Sequence, residues 1–123
     1  MTQPTILLIE DEPWLAAAYR KTLETDYTVM EARDAVAAIE AIDARPPDLV
    51  LLDMFLPNVN GLQLINEMRS YQDLAALPVV VISSLAFELS EEQRRAYGIV
   101  ASLAKSSLTP SGLRRQVREA LAS

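Results

Sequence analysis

The stretch LVLLDMFLPNVNG, residues 49–61, lies just after two prolines and gives the clearest indication of the fold. Its first four residues form a continuous aliphatic run, which is typical of a strand buried on both faces of a parallel sheet. Asp53 ends the run, and a segment containing Pro57 and Gly61 follows, which indicates a turn before the next element. The pattern therefore predicts a buried strand that delivers a carboxylate to a loop.

Similar short runs alternate with amphipathic stretches along the rest of the chain. The predicted strands are residues 6–9, 27–31, 49–52, 79–82 and 100–103, the last being the shortest candidate. The predicted helices follow Pro13, the N-cap Asp34, Gly61, the capping box that begins at Ser90, and Pro110. Strict alternation of strand and helix implies right-handed crossovers and a three-layer α/β sandwich around a parallel sheet.

The composition excludes several kinds of chemistry. The 123 residues suffice for one domain with its own core, and they include no Cys and no His. Disulfides, thiolate or imidazole metal sites, and Cys- or His-dependent nucleophiles are therefore excluded. The net charge of −6 argues against nucleic acid or an anionic membrane surface as a partner. Because no apolar stretch approaches the ~20 residues of a membrane span, we expect a cytoplasmic protein.

Polar residues follow the predicted strands where ligands bind in open parallel sheets, at the carboxyl edge. These residues are Glu10, Asp11, Asp53, Ser83 and Lys105. Clustered carboxylates repel one another unless a cation lies among them, and oxygen ligands without His or Cys suit Mg²⁺. A carboxylate beside Mg²⁺ can attack a phosphoryl group, while an ammonium and a hydroxyl stabilise the transferring oxygens. The edge thus predicts a phosphoryl-transfer site.

Each of these residues also has an ordinary structural interpretation. Acids after a strand are often solvated or favour the start of a helix. Asp53 can initiate a turn, and an isolated Lys105 is most often a surface lysine. Four strand ends that each supply the residue type required by one reaction favour the functional interpretation.

The segments ILLIEDEP, PDLVLLDMFLPNVNGLQLI and PVVVISS, followed by the isolated Lys105, resemble the receiver domain of two-component response regulators. The resemblance spans nearly the whole chain, with order and spacing intact. It implies a flavodoxin-like sandwich with five helices and five parallel strands in the order 2-1-3-4-5. It also implies one receiver domain over residues 1–123 without an output domain. Such a protein signals, and as a catalyst it assists only the phosphorylation and dephosphorylation of its own aspartate.

The resemblance implies a role for each residue that takes part in phosphoryl transfer. Asp53 is the implied phosphoacceptor, and the donor is a phosphohistidine on a sensor histidine kinase or a histidine phosphotransfer protein. Ser83 matches the switch hydroxyl that turns toward the phosphoryl group, and Lys105 matches its cationic partner. The implied output is contact with another protein, of unknown identity, or formation of a homodimer.

The resemblance also implies a magnesium site. Asp11 and Asp53 are the implied side-chain ligands, and the backbone carbonyl of Phe55 completes the ligands that the protein supplies. Glu10 is expected to act mainly through a bound water molecule.

Three departures from the family pattern matter, and one is that Ser84 and Leu85 follow Ser83 where smaller or more polar residues often occur. The other two lie at and near Lys105. The residue after the family's lysine is usually a proline in a cis peptide bond, whereas Ser106 follows Lys105 here. A cis bond costs ~2.5–4 kcal/mol before a residue other than proline, so we predict a trans bond. The family's switch aromatic lies three residues before the lysine, where this chain has Ser102. Tyr97 or Phe87 could replace it, although core packing is the more ordinary role for both.

Three functions remain open at this point. The first is a phospho-accepting receiver, and the second is a pseudo-receiver that binds the same partners without phosphorylation. The third is a phosphatase or phosphotransferase with an aspartate nucleophile, similar to the haloacid dehalogenase enzymes. Those enzymes carry a second Asp two residues after the nucleophile, where this chain has Phe55, which disfavours the third function.

Overall fold

A computed structural model of the chain describes residues 3–54, 60–71, 74–83 and 90–122. The strands are β1 (Thr5–Ile9), β2 (Thr28–Ala32), β3 (Leu49–Asp53), β4 (Val79–Ser83) and β5 (Ile99–Ala104). The α-helices are α1 (Pro13–Leu23), α2 (Ala35–Ala44), α3 (Gly61–Arg69), α4 (Glu91–Tyr97) and α5 (Pro110–Ala122). A short 3₁₀ turn, Lys105–Ser107, follows β5.

The strands form one parallel sheet in the order β2-β1-β3-β4-β5, which confirms the predicted topology. β2 begins and ends one residue later than predicted, and β5 extends one residue further at both ends. The strand predicted to be the shortest therefore has six residues. Across the described ranges, no helix combines the length and apolarity that a bilayer crossing demands.

Side chains of successive strand residues point to opposite faces of the sheet, and a separate core lies on each face. Leu7 and Ile9 of β1 belong to the core under α2 and α3. Ile6 and Leu8 of the same strand belong to the core under α1 and α5. Because both faces are covered, the strand is aliphatic throughout rather than alternating, and the predicted three-layer sandwich is confirmed.

Helix starts are fixed by the local sequence. The Asp34 carboxylate accepts the N–H of Ala37 at 2.8 Å, and the capping box of Ser90 is formed in full, so both predicted caps are confirmed. Asn60, which the sequence analysis did not single out, caps α3 through its side-chain oxygen. Gly61 is the first residue of α3, where a Cβ would lie 2.8 Å from the Met54 sulfur.

α4 is attached through its carboxyl end. Its seven residues include no buried side chain. Arg69, at the end of α3, donates from Nη1 to the carbonyl of Ala96 at 3.2 Å and from Nη2 to the carbonyl of Ala75. Gly98 ends α4 with φ of 68°, and a Cβ there would lie 2.5 Å from the Arg69 guanidinium carbon. The guanidinium therefore occupies the space that any larger residue at position 98 would need.

We expect Gly98→Ala to lower the free energy of unfolding by about 1–2 kcal/mol from the left-handed backbone alone, and further from the clash with Arg69. Urea denaturation of Gly98→Ala, Arg69→Ala and the double variant separates the two contributions. The alanine at position 98 should cost less when Arg69 is absent. An equal cost in both backgrounds would show that the guanidinium does not restrict this position.

Candidate functional site

The carboxyl edge of the sheet gathers polar side chains that are almost completely buried. Glu10 directly follows β1, and Asp53 and Ser83 are the last residues of β3 and β4. Their exposed fractions are 3 %, 4 % and 3 %. The β3–β4 register pairs Asp53 with Ile82, so Ser83 lies on the neighbouring strand one residue beyond the level of Asp53. Burial of three polar residues at one edge marks this as the candidate site.

Lys105 supplies the positive charge at this edge. It follows β5 at the start of the 3₁₀ turn, and its Nζ donates to Oδ2 of Asp53 at 3.0 Å. The same nitrogen lies 3.9 Å from Oε1 of Glu10. One ammonium thus faces two buried carboxyl groups that come from different strands.

Glu10, Asp11 and Asp53 each place one carboxyl oxygen within 4.8 Å of the other two. Glu10 accepts the N–H of Glu12 through Oε2 at 3.3 Å. Its Oε1 is buried and accepts no hydrogen bond from the described residues. Clustered oxygens of this kind, one of them lacking a donor, fit a hard divalent cation and its water ligands.

Without a divalent ion, the crowded carboxyl groups favour a bound proton. Burial raises the pKa of Glu10 from 4.5 to about 8, and a hydrogen bond to the Asp53 carboxyl is the second cause. The N–H of Glu12 and the charge of Lys105 oppose this rise in pKa only in part. A pKa of about 8 favours the protonated form of Glu10 near pH 7 in the metal-free protein.

The pKa values of two further groups respond to the same cluster. Partial burial by itself lowers the pKa of Lys105, but the hydrogen bond and charge of Asp53 outweigh this effect, so that the pKa is raised. Burial, followed by the charge of Glu10, raises the pKa of Tyr19. Tyr19 was not predicted to lie near these charges, because its position in α1 gives no sign of them.

The structure brings together Glu10, Asp11, Asp53 and Lys105, as the sequence analysis expected of these residues. The contact between Lys105 and Glu10 was not anticipated, because strand-end position alone does not give side-chain distances. Phe55, whose carbonyl is an expected metal ligand, lies outside the described residues, as do Pro57 and Phe87.

Of the departures from the family pattern, Ser84 and Leu85 lie outside the described residues, and the other two have different outcomes. No cis peptide bond occurs in the described ranges, so the predicted trans bond between Lys105 and Ser106 is confirmed. Ser102 is exposed on β5. Tyr97 is half-buried and packs against the core under α2 and α3, which is the packing role that the sequence analysis favoured.

In the metal-free protein, we expect Glu10 to make stability depend on pH. Its pKa is about 8 in the folded state against an ordinary 4.5, so the folded state binds the additional proton between these values. The free energy of unfolding should therefore fall as the pH rises from about 4.5 through about 8. Urea denaturation in EDTA measures this slope.

Glu10→Gln removes the titrating carboxyl group, and Glu40→Gln, on the exposed side of α2, is the matched control. Glu10→Gln should flatten the pH dependence, and Glu40→Gln should retain it. An unchanged slope in Glu10→Gln would contradict the assignment of the proton to this residue.

Comparison with known proteins agrees with this geometry. The sequence profile of the response regulator receiver domain matches residues 6–118. The chain is 35 % identical over 82 residues to the sensor histidine kinase TmoS of Ectopseudomonas mendocina, covering 67 % of this chain and 8 % of the kinase. It is 26 % identical over 107 residues to the polar-differentiation response regulator DivK of Brucella ovis, covering 86 % of this chain and 87 % of DivK.

Solved structures share the fold. A response regulator receiver domain protein (CheY-like) from Methanospirillum hungatei JF-1 superposes with a TM-score of 0.83 at 22 % identity. The match covers 98 % of this chain and 95 % of the other. With the profile match over most of its length, the acidic cluster and the lysine beside Asp53, this chain belongs to the receiver domain family of two-component response regulators.

Proposed function

We propose that this receiver accepts a phosphoryl group on Asp53 from a phosphohistidine of a sensor histidine kinase or histidine phosphotransfer protein. The phosphorylated chain then signals by contact with another protein. The contact between Asp53 and Lys105 carries the proposal, because it places a buried carboxylate beside a cation at the edge where ligands bind. Receiver domains are signalling proteins, and the proposed self-directed chemistry is confined to this aspartate.

The residues present fit a magnesium ion. Asp11 and Asp53 would hold it, with Glu10 reached through water and the carbonyl of Phe55 as a further proposed ligand. Mg²⁺ prefers carboxylates and retained waters to a cage of protein side chains, and this cluster offers few ligands and keeps Asp11 partly exposed. When bound, the ion would neutralise charge on the carboxylates and on the transferring phosphoryl oxygens.

The proposed transfer exchanges one bond to phosphorus for another. A carboxylate oxygen of Asp53 forms a bond to phosphorus as the bond from phosphorus to the donor imidazole nitrogen breaks, and that nitrogen keeps the electron pair. Lys105, which donates to Asp53 before the reaction, is positioned to donate to a phosphoryl oxygen afterwards. Attack by water on phosphorus later releases phosphate and restores the carboxylate.

Ser83 is the proposed switch hydroxyl. It is buried at the end of β4, beside the strand that carries Asp53. A hydroxyl there can donate to a phosphoryl oxygen, which couples phosphorylation to the backbone that leaves β4. The proposal also includes a cytoplasmic location.

We expect incubation with acetyl phosphate and Mg²⁺ to add the mass of one phosphoryl group to the protein, and Asp53→Asn to abolish the addition. The amide cannot form the acyl phosphate, while its size and burial remain those of the carboxyl group. Intact-mass analysis measures the addition directly.

Asp43→Asn, an exposed substitution on α2, is the matched control and should be phosphorylated like the original chain. If neither acetyl phosphate nor a phosphorylated histidine phosphotransfer protein adds mass, the proposal is wrong. The pseudo-receiver, which binds partners without phosphorylation, would then be the better account, and exposed Ser102 in place of the family's aromatic would be consistent with it.

Millimolar Mg²⁺ should raise the melting temperature because the ion binds the folded acidic cluster. A tenfold excess over Kd contributes about 1.4 kcal/mol, which corresponds to a rise of roughly 4–8 °C for a domain of this size. Asp11→Asn should remove most of the rise and Asp43→Asn should keep it. A full rise in Asp11→Asn would show that Asp11 is not a ligand.

A further inference from the structure

β5 forms one edge of the sheet, and part of its backbone faces away from β4. The N–H of Val79 donates across the β4–β5 ladder to the carbonyl of Gly98 at 2.9 Å. Alternate residues of β4, counted from Val79, likewise direct their N–H and C=O groups toward β5. Ser102 and Ala104 are in register with two of these residues, Val81 and Ser83. The N–H groups of Ser102 and Ala104 and the C=O of Ser102 therefore point away from β4. Both residues are exposed, and these outward groups make no ladder bond within the described ranges.

The opposite edge of the sheet is covered. Arg20 of α1 donates from Nη2 to the carbonyl of Val29 at 3.0 Å and forms an ion pair with Glu31, both on β2. A guanidinium over an edge carbonyl is one way in which proteins prevent another chain from pairing there. The β5 sequence, IVASLA, contains no charged residue and no proline to protect its edge. Its one irregularity is a register shift at its amino end, next to exposed Val100.

A groove runs along this edge between β5 and α5. It consists of two adjoining cavities of about 380 and 330 Å³ that share Gln116 as a lining residue. The larger cavity is lined by Ser102, Ala104 and Arg115 among others, and the smaller by Val100 and Glu119. Small side chains on β5 leave room for another strand to lie beside the outward-facing backbone.

The helix α5, which forms one wall of the groove, is basic although the chain as a whole is acidic. It carries three arginines and one acidic residue, Glu119, whereas residues 1–89 contain five basic and fourteen acidic residues. Arg114, Arg115 and Arg118 are exposed on α5. Pairing with β5 of a second copy would bring two such basic surfaces together, which like-charge repulsion opposes. An acidic partner complements this surface.

We propose that an extended acidic segment of a partner protein adds to β5 as a sixth strand, with a carboxylate placed against Arg115. Main-chain hydrogen bonds to Ser102 and Ala104 would supply affinity, and the charge of α5 would select acidic sequences. The inference extends the partner contact of the proposed function but does not use the acidic cluster. Its test uses unphosphorylated protein, so failure of phosphoryl transfer and failure of strand addition are observed separately.

The probe is an acetylated and amidated peptide of alternating valine and threonine with a glutamate at each end. We expect saturable NMR shifts centred on Ser102 and Ala104, and slower exchange of their amide hydrogens once the peptide has bound. A version N-methylated at every residue keeps the charge but has no main-chain N–H to donate to β5 from either edge. It should bind at least tenfold more weakly.

Arg115→Glu tests the charge, and Arg45→Glu, at the exposed end of α2, is its control. We expect Arg115→Glu to weaken binding of the peptide at least fivefold and Arg45→Glu to change it less than twofold. A peptide with lysine in place of glutamate should prefer the Arg115→Glu variant. Ser102→Pro removes one outward N–H without removing a ladder bond, and it should also weaken binding.

Three results would overturn the proposal. Equal binding of the N-methylated peptide would show that attraction of charge alone is responsible. Shifts centred away from β5 would place the peptide elsewhere. Finally, the peptide-free protein could sediment as a dimer, and Ser102→Pro could dissociate that dimer. This result would show that β5 pairs with a second copy of the chain.

Discussion

The ammonium of Lys105 is the interaction on which the carboxyl edge depends. It lies 3.0 Å from Asp53 and 3.9 Å from Glu10, and it is the one cation that the described residues place between these buried groups. Buried carboxyl groups are costly unless they are paired, protonated or bound to metal, and this edge uses the first two in the absence of a divalent ion. The sheet makes this pairing possible. The strands β1, β3 and β5 are separated along the chain but end at the same edge, which lets Lys105 reach both Glu10 and Asp53.

Much of the fold could be predicted because burial on both faces leaves a simple signature. The aliphatic runs of β1, β3 and β4 identify central strands. The end of each run predicts which residues lie at the carboxyl edge of the sheet. β5 was harder to delimit because its small and partly exposed residues are typical of neither strand nor loop. The cap at Asn60 was missed for a similar reason, since a single asparagine in a loop has many ordinary uses.

The candidate site was predictable as a set of residue types and not as a set of interactions. Glu10, Asp53 and Lys105 follow different strands, and the rule that parallel strands end at one edge was enough to group them. The raised pKa of Glu10 could not be foreseen, because it depends on how deeply the side chain is buried and on its distance from a second carboxyl group. Both quantities arise from packing, and a linear sequence carries neither.

α4 has a consequence for how this domain can diverge. Only the half-buried Tyr97 packs against a core, so α4 adds little hydrophobic free energy, and a capping box, Arg69 and the end of the helix at Gly98 help to keep it in place. Substitutions on its outward positions leave the two cores untouched. The outward surface of this helix can therefore change at small thermodynamic cost, so that duplicated copies can diverge in what they contact while the carboxyl edge of the sheet stays unchanged.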